Sequence, residues 1–142
     1  MKHDLESLVG YNIGTISHFI QNEYNQRLSD YGVTRSQAKV IYFLAVHGPQ
    51  SQKDLQKRLY IKASSMNGII ESLIKNECIT KESSPNDRRA KVIQLTKKGK
   101  HIEKEVWSIV LEIEEEIGEG FSKEEHQVII SFLQRIQKNI RP

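Results

Sequence analysis

Apolar residues recur every three or four positions over most of the chain, which predicts a mainly helical protein. A long first helix is expected from about Leu5 to Gly32, where glycine can adopt the left-handed conformation that ends helices. Thr34 and Gln37 have the spacing of a capping box, so a second helix should start there and stop at Gly48.

The next two helices are separated by a tight turn at residues 60–62. Ser51 is a good cap for a short third helix, and a fourth is expected from about Ala63. The apolar stripe of the fourth helix has the spacing of one buried face, and its members are Met66, Ile69, Ile70, Leu73 and Ile74. The opposite face holds Ser64, Gly68, Glu71, Ser72 and Lys75, flanked by Ser65 and Asn67.

The pattern then changes to two short β-branched segments, CITKES and AKVIQLT, joined by SPNDRR, which is typical of a hairpin. Thr96 is expected to cap a fifth helix that ends near Gly118, and Ser122 with Glu125 predicts a capped sixth helix. The fold class is therefore mainly α with a small β wing, a winged helix-turn-helix plus a helical layer. We expect segments 1–33 and 100–142 to form that layer around a module at 34–99.

Charge is concentrated in the middle of the chain. Residues 51–104 hold thirteen Lys or Arg against six Asp or Glu, whereas residues 105–142 hold four against eight. A basic patch of this kind favours a polyanionic partner such as nucleic acid, with a solvated lysine-rich face as the alternative.

Composition argues against several other classes. The single cysteine, Cys78, excludes a disulfide framework and a CxxC site; a packed hydrophobe is favoured there over a redox switch. No apolar run is long enough to span a bilayer and no signal peptide is evident, so a cytoplasmic protein is expected. The histidines are scattered and phosphate-binding and nucleophile motifs are missing, so we expect no enzyme, metal or cofactor.

The small polar face of the fourth helix suits the major groove of DNA, about 12 Å wide. Asn67 could pair with adenine, and Gly68 would let the backbone approach closely. In the wing, Arg89 is expected to enter the minor groove, held by the Asp87 carboxylate, while Arg88 contacts the DNA backbone. The predicted DNA-binding residues are Arg58, Lys62, Ser64, Ser65, Asn67, Gly68, Lys75, Asp87, Arg88, Arg89 and Lys91.

The stretch SQKDLQKRLYIKASSMNGIIESLIKNECITK, followed by NDRRAKVIQLTKKG, resembles the MarR family of bacterial and archaeal transcriptional regulators. Asp87, Arg89, Leu95, Thr96 and Gly99 match the wing motif of that family. The resemblance covers nearly the whole chain, including the first helix and the two C-terminal helices.

The chain departs from the family pattern at several positions. Tyr60 stands where glycine is usual in the turn before the fourth helix. Glu77 stands where glycine commonly ends that helix, so Asn76 is expected to adopt the left-handed conformation instead. Gly68 replaces a larger residue, which leaves the DNA sequence undefined. The N-terminal cysteine of the hydroperoxide-sensing branch and the ligands of the zinc-sensing branch are not matched.

The resemblance implies a homodimer on a pseudo-palindromic operator, with two recognition helices about 34 Å apart. The terminal helices also have apolar stripes that need a partner surface to cover them. The predicted dimer residues are Leu5, Leu8, Ile109, Ile113, Ile117, Phe132 and Ile136.

The resemblance further implies a repressor whose DNA affinity falls when a small aromatic or lipophilic effector binds. A pocket is expected where the first two helices meet the fifth, with core packing as the alternative for its aromatic residues. The predicted lining is Tyr11, His18, Phe19, Tyr42 and Trp107. Two other functions stay open: a winged-helix nucleic-acid-binding protein without effector, and a protein–protein module whose basic wing meets an acidic partner.

Overall fold

The elements in the computed structural model, which describes residues 3–87 and 89–141, follow the order that the hydrophobic pattern predicts. The helices of these residues are α1 (Val9–Leu28), α2 (Arg35–His47), α3 (Gln52–Leu59), α4 (Ala63–Lys75), α5 (Lys97–Ile117) and α6 (Lys123–Ile140). The strands β1 (Ile79–Ser83) and β2 (Lys91–Leu95) lie between α4 and α5 and pair antiparallel, with Ile79 opposite Leu95 and Ser83 opposite Lys91. This is the predicted class, mainly α with a β wing.

The first helix is shorter than predicted. Leu5–Ser7 form a separate 3₁₀ turn, and α1 begins only after Leu8, whose extended backbone (φ −81°, ψ 138°) interrupts the helix. After α1, Ser29–Tyr31 form a second 3₁₀ turn, and Gly32 ends it with φ 69°. The left-handed conformation predicted for Gly32 is confirmed.

Both predicted capping boxes are formed. The Thr34 hydroxyl accepts from the backbone N–H of Gln37, whose side-chain oxygen accepts from the N–H of Thr34. Ser122 and Glu125 make the same reciprocal pair at the start of α6, at 3.1 and 2.9 Å. Two orphan donors are satisfied at each helix start, so these boundaries are encoded locally.

The core lies between α2, α3, α4 and the wing strands. Its fully buried members come from all of these elements and from the end of α1, and they include Leu28, Val40, Ile41, Leu55, Met66, Leu73, Cys78, Ile79 and Ile93. Cys78 is thus a buried hydrophobe, and burial raises the pKa of its thiol although Lys98 opposes the shift.

Glu77, not Asn76, adopts the left-handed conformation after α4, so the expectation for Asn76 was wrong. Glu77 has φ 62°, whereas Asn76 has φ −83°. The backbone N–H of Cys78 donates to Leu73 and that of Glu77 to Ile74, both at 2.9 Å, which is a Schellman motif. The motif places the left-handed residue at position 77, where the family usually has glycine.

Thr96 ties the wing to the end of α4 and to the start of α5. Its hydroxyl donates to the carbonyl of Glu77 at 2.6 Å and accepts from the N–H of Gly99 at 3.0 Å. Its own N–H donates to the carbonyl of Cys78. The cap predicted for Thr96 is therefore confirmed, and it also fixes the base of the wing.

The chain forms two compact units, one up to Val110 and one from Leu111 onward. α5 is continuous from residue 97 to residue 117, so the segment boundary predicted at 99/100 falls within its first turn. In the described part of the chain, every helix is too short or too polar to traverse a bilayer.

Candidate nucleic-acid interface

A helix-turn-helix is built from α3, a tight turn and α4. The Ser51 hydroxyl accepts from the N–H of Asp54 at 3.1 Å and starts α3, while Tyr60 ends it with a left-handed backbone (φ 56°). Leu55 of α3 and Met66 of α4 are fully buried, and the two helices pack against each other. The outer side of α4 is left facing solvent.

The exposed side of α4 has small polar groups and open backbone. The exposed residues here include six of the predicted DNA-binding set, namely Lys62, Ser64, Ser65, Asn67, Gly68 and Lys75. A Cβ placed on Gly68 would meet none of the described atoms within 4 Å, so no packing among residues 3–87 and 89–141 requires glycine there. Such a face can come close to base edges in the major groove.

Ser72 does not belong to this outer face, contrary to the sequence prediction. It is half-buried, and its hydroxyl accepts a hydrogen bond from the Gln37 amide of α2 at 3.0 Å. Helical spacing alone predicts that Ser72 lies on the same face of α4 as Ser64. In the structure, α2 covers the side of α4 that carries Ser72. Glu71 stays exposed among the outward residues.

Asn67 has a partner that the sequence did not reveal. The side-chain amide of Gln52, the first residue of α3, donates to the side-chain oxygen of Asn67. Fifteen residues separate the two, and no local spacing rule connects them.

Arg58 joins three elements as well as carrying charge. Its Nε donates to the side-chain oxygen of Gln50 at 2.9 Å, and one terminal nitrogen lies 3.1 Å from Nε2 of His47. Gln50 is only 8% exposed, and its backbone exchanges two hydrogen bonds with Ile93 of β2. Arg58 thus links the end of α2, α3 and the wing; the phosphate contact predicted for it stays a prediction.

In the segment between β1 and β2, Asp87 has a different hydrogen-bond partner from the one predicted. The Asp87 carboxylate accepts from the backbone N–H of Arg89 at 2.9 Å, and no ion pair with the Arg89 guanidinium forms among the described side chains. The guanidinium is exposed. Lys91 donates to Ser83 across the hairpin at 3.0 Å. Arg88 lies outside the described residues.

Lysines add positive charge around this surface. Lys53 and Lys57 are exposed on α3, and neither was among the predicted contacts. Lys62 precedes α4, and Lys75 is in its last turn. Phosphate contacts need only a flexible cation near the groove edge, so these lysines are suited to them.

A second feature is an apolar groove between α1, α2 and α5, with an internal volume of about 190 Å³. It is lined by Tyr24, Arg35, Ala38, Lys39, Tyr42, Glu103, Val106, Trp107 and Val110. The rings of Tyr42 and Trp107 stack 5.7 Å apart at 12°, and the Arg35 guanidinium lies 4.5 Å above the Tyr24 ring. Partial burial, and next the charge of Arg35, lower the pKa of Lys39.

Two of the five aromatic residues predicted for a pocket, Tyr42 and Trp107, line this groove. Tyr11, His18 and Phe19 do not line it; they are exposed on α1. Sequence periodicity cannot separate two exposed faces of one helix. The seven lining residues that the sequence did not predict include three charged ones, Arg35, Lys39 and Glu103.

The residues predicted for a dimer seam fall into two groups. Leu5, Leu8, Ile117 and Phe132 are exposed in the single chain, and Ile136 is half-buried. Ile109 and Ile113 are only 7% and 2% exposed, so they are core residues that offer a partner almost no surface. The sequence did not separate the two groups, because apolar residues recur with the same helical spacing on a face that packs in the core and on a face that contacts a partner.

Comparison with known proteins finds the same family resemblance. Residues 31–90, which span α2 to the wing turn, match the sequence model of the MarR family. The chain is 27% identical over 117 residues to the HTH-type transcriptional regulator YwoH of Bacillus subtilis, covering 82% of this chain and 85% of YwoH.

Two solved structures share the fold. The S. aureus MepR–DNA complex superposes with a TM-score of 0.87 at 22% identity, covering 96% of this chain and 99% of MepR. Bordetella bronchiseptica BpsR, whose DNA binding is regulated by 6-hydroxynicotinic acid, gives a TM-score of 0.88 at 22% identity, covering 96% and 98%. Residues 31–90 are therefore similar to the MarR family of transcriptional regulators, and the chain has the winged-helix fold of these solved structures.

Proposed function

We propose that this chain is a cytoplasmic homodimeric repressor that binds a pseudo-palindromic operator through α4 and the wing. A small aromatic acid lowers its affinity for DNA. The observation that carries the proposal is the outer face of α4, where small polar side chains and Gly68 lie open beside exposed lysines. Base edges can be read by such a face, while the lysines neutralise phosphates and Arg89 enters the minor groove.

Dimerisation is supported by apolar surface that a single chain leaves exposed. No residue of α6 is buried in the single chain, although its exposed side chains include Val128, Ile129, Phe132 and Leu133. α1 exposes Val9, Ile16 and Phe19 as well. Monomeric proteins seldom present so much apolar surface, and a two-fold partner would cover it while setting two copies of α4 one DNA turn apart.

The proposed effector site is the groove lined by Tyr42 and Trp107. Stacked aromatic rings favour a flat apolar ligand, and Arg35 with Lys39 favours an anionic group on it. The volume of about 190 Å³ suits a single ring better than a fused system. The regulation of BpsR by 6-hydroxynicotinic acid supports the same ligand class.

Selection from a randomised duplex pool tests the DNA-binding proposal. We expect one enriched sequence with two inverted half-sites, bound with an affinity that falls steeply with salt; about ten neutralised phosphates give a log–log slope near −9. A reporter gene under that sequence should be silenced by the chain and released by an aromatic acid.

The two rival functions give different results in the same experiments. Enriched half-sites without any response to aromatic acids would indicate a nucleic-acid-binding protein that has no effector. Failure to enrich any sequence, with a flat salt response, would favour an acidic protein partner for the wing.

A further inference from the structure

The hydrogen bond between Gln52 and Asn67 fixes a side chain on the face proposed to enter DNA. Gln52 is half-buried at the start of α3, whereas Asn67 is exposed on α4. The Gln52 amide nitrogen donates to the Asn67 oxygen, Oδ1. The more buried partner therefore holds the more exposed one.

This bond decides which atoms Asn67 has left to offer. An asparagine amide carries one acceptor oxygen and two N–H donors. Gln52 occupies one of the two lone pairs of Oδ1, and the Asn67 side chain makes no other hydrogen bond within residues 3–87 and 89–141. Both N–H groups on Nδ2 are unpaired there, so Asn67 presents two donors to a base beside an oxygen that already has one partner.

We propose that Gln52 is a positioning residue that makes Asn67 a hydrogen-bond donor toward the major groove, so that Asn67 prefers guanine to adenine. Guanine presents two acceptors there, N7 and O6. Adenine presents one acceptor and one donor, so its donor would have to share Oδ1 with Gln52, whereas guanine uses only the two unpaired N–H groups. The inference rests on the proposed function, since it requires α4 to lie in the groove.

The test starts from the operator selected with the parent protein and measures binding to each of its single-base variants. Asn67→Ala identifies the base pair that Asn67 reads, because discrimination is lost there. We expect the parent to prefer guanine at that pair by about 5- to 100-fold. Gln52→Ala should reduce that preference and leave the profile at all other positions unchanged.

Two further variants separate positioning from a general effect. Lys53→Ala, a neighbouring exposed change on α3, should weaken all sequences equally. In Gln52→Glu, a carboxylate that can only accept would bind the N–H groups of Asn67 and turn Oδ1 outward. Preference should then shift from guanine toward a base with a donor, adenine or cytosine, which a loss of folding could not produce.

Three results would overturn the inference: adenine preferred by the parent at the Asn67 position, a Gln52→Ala profile identical to the parent profile, or an Asn67→Ala variant with unchanged specificity. Failure of the proposed function is distinguishable from all three, because no sequence would then be enriched by the parent.

Discussion

The backbone carbonyl of Cys78 occupies the space that a side chain on Gly99 would need. A Cβ at position 99 would lie 2.1 Å from that oxygen and 3.0 Å from the Leu95 side chain. The contact exists because Thr96 draws the first turn of α5 onto the end of α4. Gly99 is therefore required by a close approach of two backbones, which explains its place in the wing motif.

Gly99→Ala should destabilise the protein by about 2–3 kcal/mol, since backbone must move to accept the methyl group. Urea unfolding followed by circular dichroism measures the change. A midpoint equal to that of the parent would show that α5 and Cys78 are not held this closely.

Gly68→Ala is the matched glycine change with the opposite expectation. A methyl group at position 68 meets no atom in the described part of the chain, and alanine favours a helix over glycine by about 1 kcal/mol. The unfolding midpoint should rise, while affinity for the selected operator should fall if α4 approaches the bases closely. Unchanged or tighter operator binding would argue that this part of α4 stands away from DNA.

The caps and periodicities that involve neighbouring residues could be predicted from the sequence. Thr34 with Gln37 and Ser122 with Glu125 are three residues apart, and their chemistry suffices to place a helix start. The contact between Gln37 and Ser72 spans 35 residues, so no pattern could show that α2 covers one side of α4.

Residue type alone did not predict the backbone conformation or the burial of some residues. Asparagine tolerates the left-handed conformation better than glutamate does, yet the Schellman bonds of Cys78 and Glu77 place it on Glu77. Likewise, Ile113 and Phe132 are both apolar at helical spacing, but one is core and the other exposed.

Glu77→Gly should raise stability by about 1 kcal/mol, because glycine adopts a positive φ without the steric cost that other residues carry. For a chain of this size the melting temperature should rise by about 3 °C. Glu77→Ala is the control, since it removes the carboxylate but keeps a Cβ, and it should give no such rise. Equal gains for both variants would mean that charge, not backbone conformation, is responsible.

Arg89→Ala should weaken binding to the selected operator by about 1–3 kcal/mol and leave the melting temperature unchanged. The Arg89 guanidinium is exposed at the wing, and only its backbone N–H takes part in the turn, where it donates to Asp87. Fluorescence anisotropy with labelled operator measures the loss. Parent-like affinity would remove the wing from the interface.

Lys39→Met should raise the stability of the fold slightly and weaken the binding of an anionic ligand in the groove. Burial and Arg35 lower the pKa of Lys39, so the folded chain holds its proton less firmly than the unfolded chain does. The charged lysine is therefore unfavourable for folding at neutral pH, and this cost is relieved as the pH rises through the lowered pKa toward 10.5. The variant should be slightly more stable than the parent near pH 7. The gain should be less than about 1 kcal/mol because solvent screens the site, and it should shrink at alkaline pH.

The affinity of the groove for an anionic ligand should fall in Lys39→Met. Trp107 is the only tryptophan and is stacked on Tyr42 in the groove, so its fluorescence reports occupancy. Benzoate and benzamide are matched probes with and without a negative charge. Lys39→Met should lose about tenfold or more in benzoate affinity, the size of a hydrogen bond to a charged group, with benzamide little affected. The exposed change Lys123→Met should leave the affinity for both ligands unchanged. Equal losses of benzoate and benzamide affinity in Lys39→Met would show that the lysine shapes the groove without holding the anion.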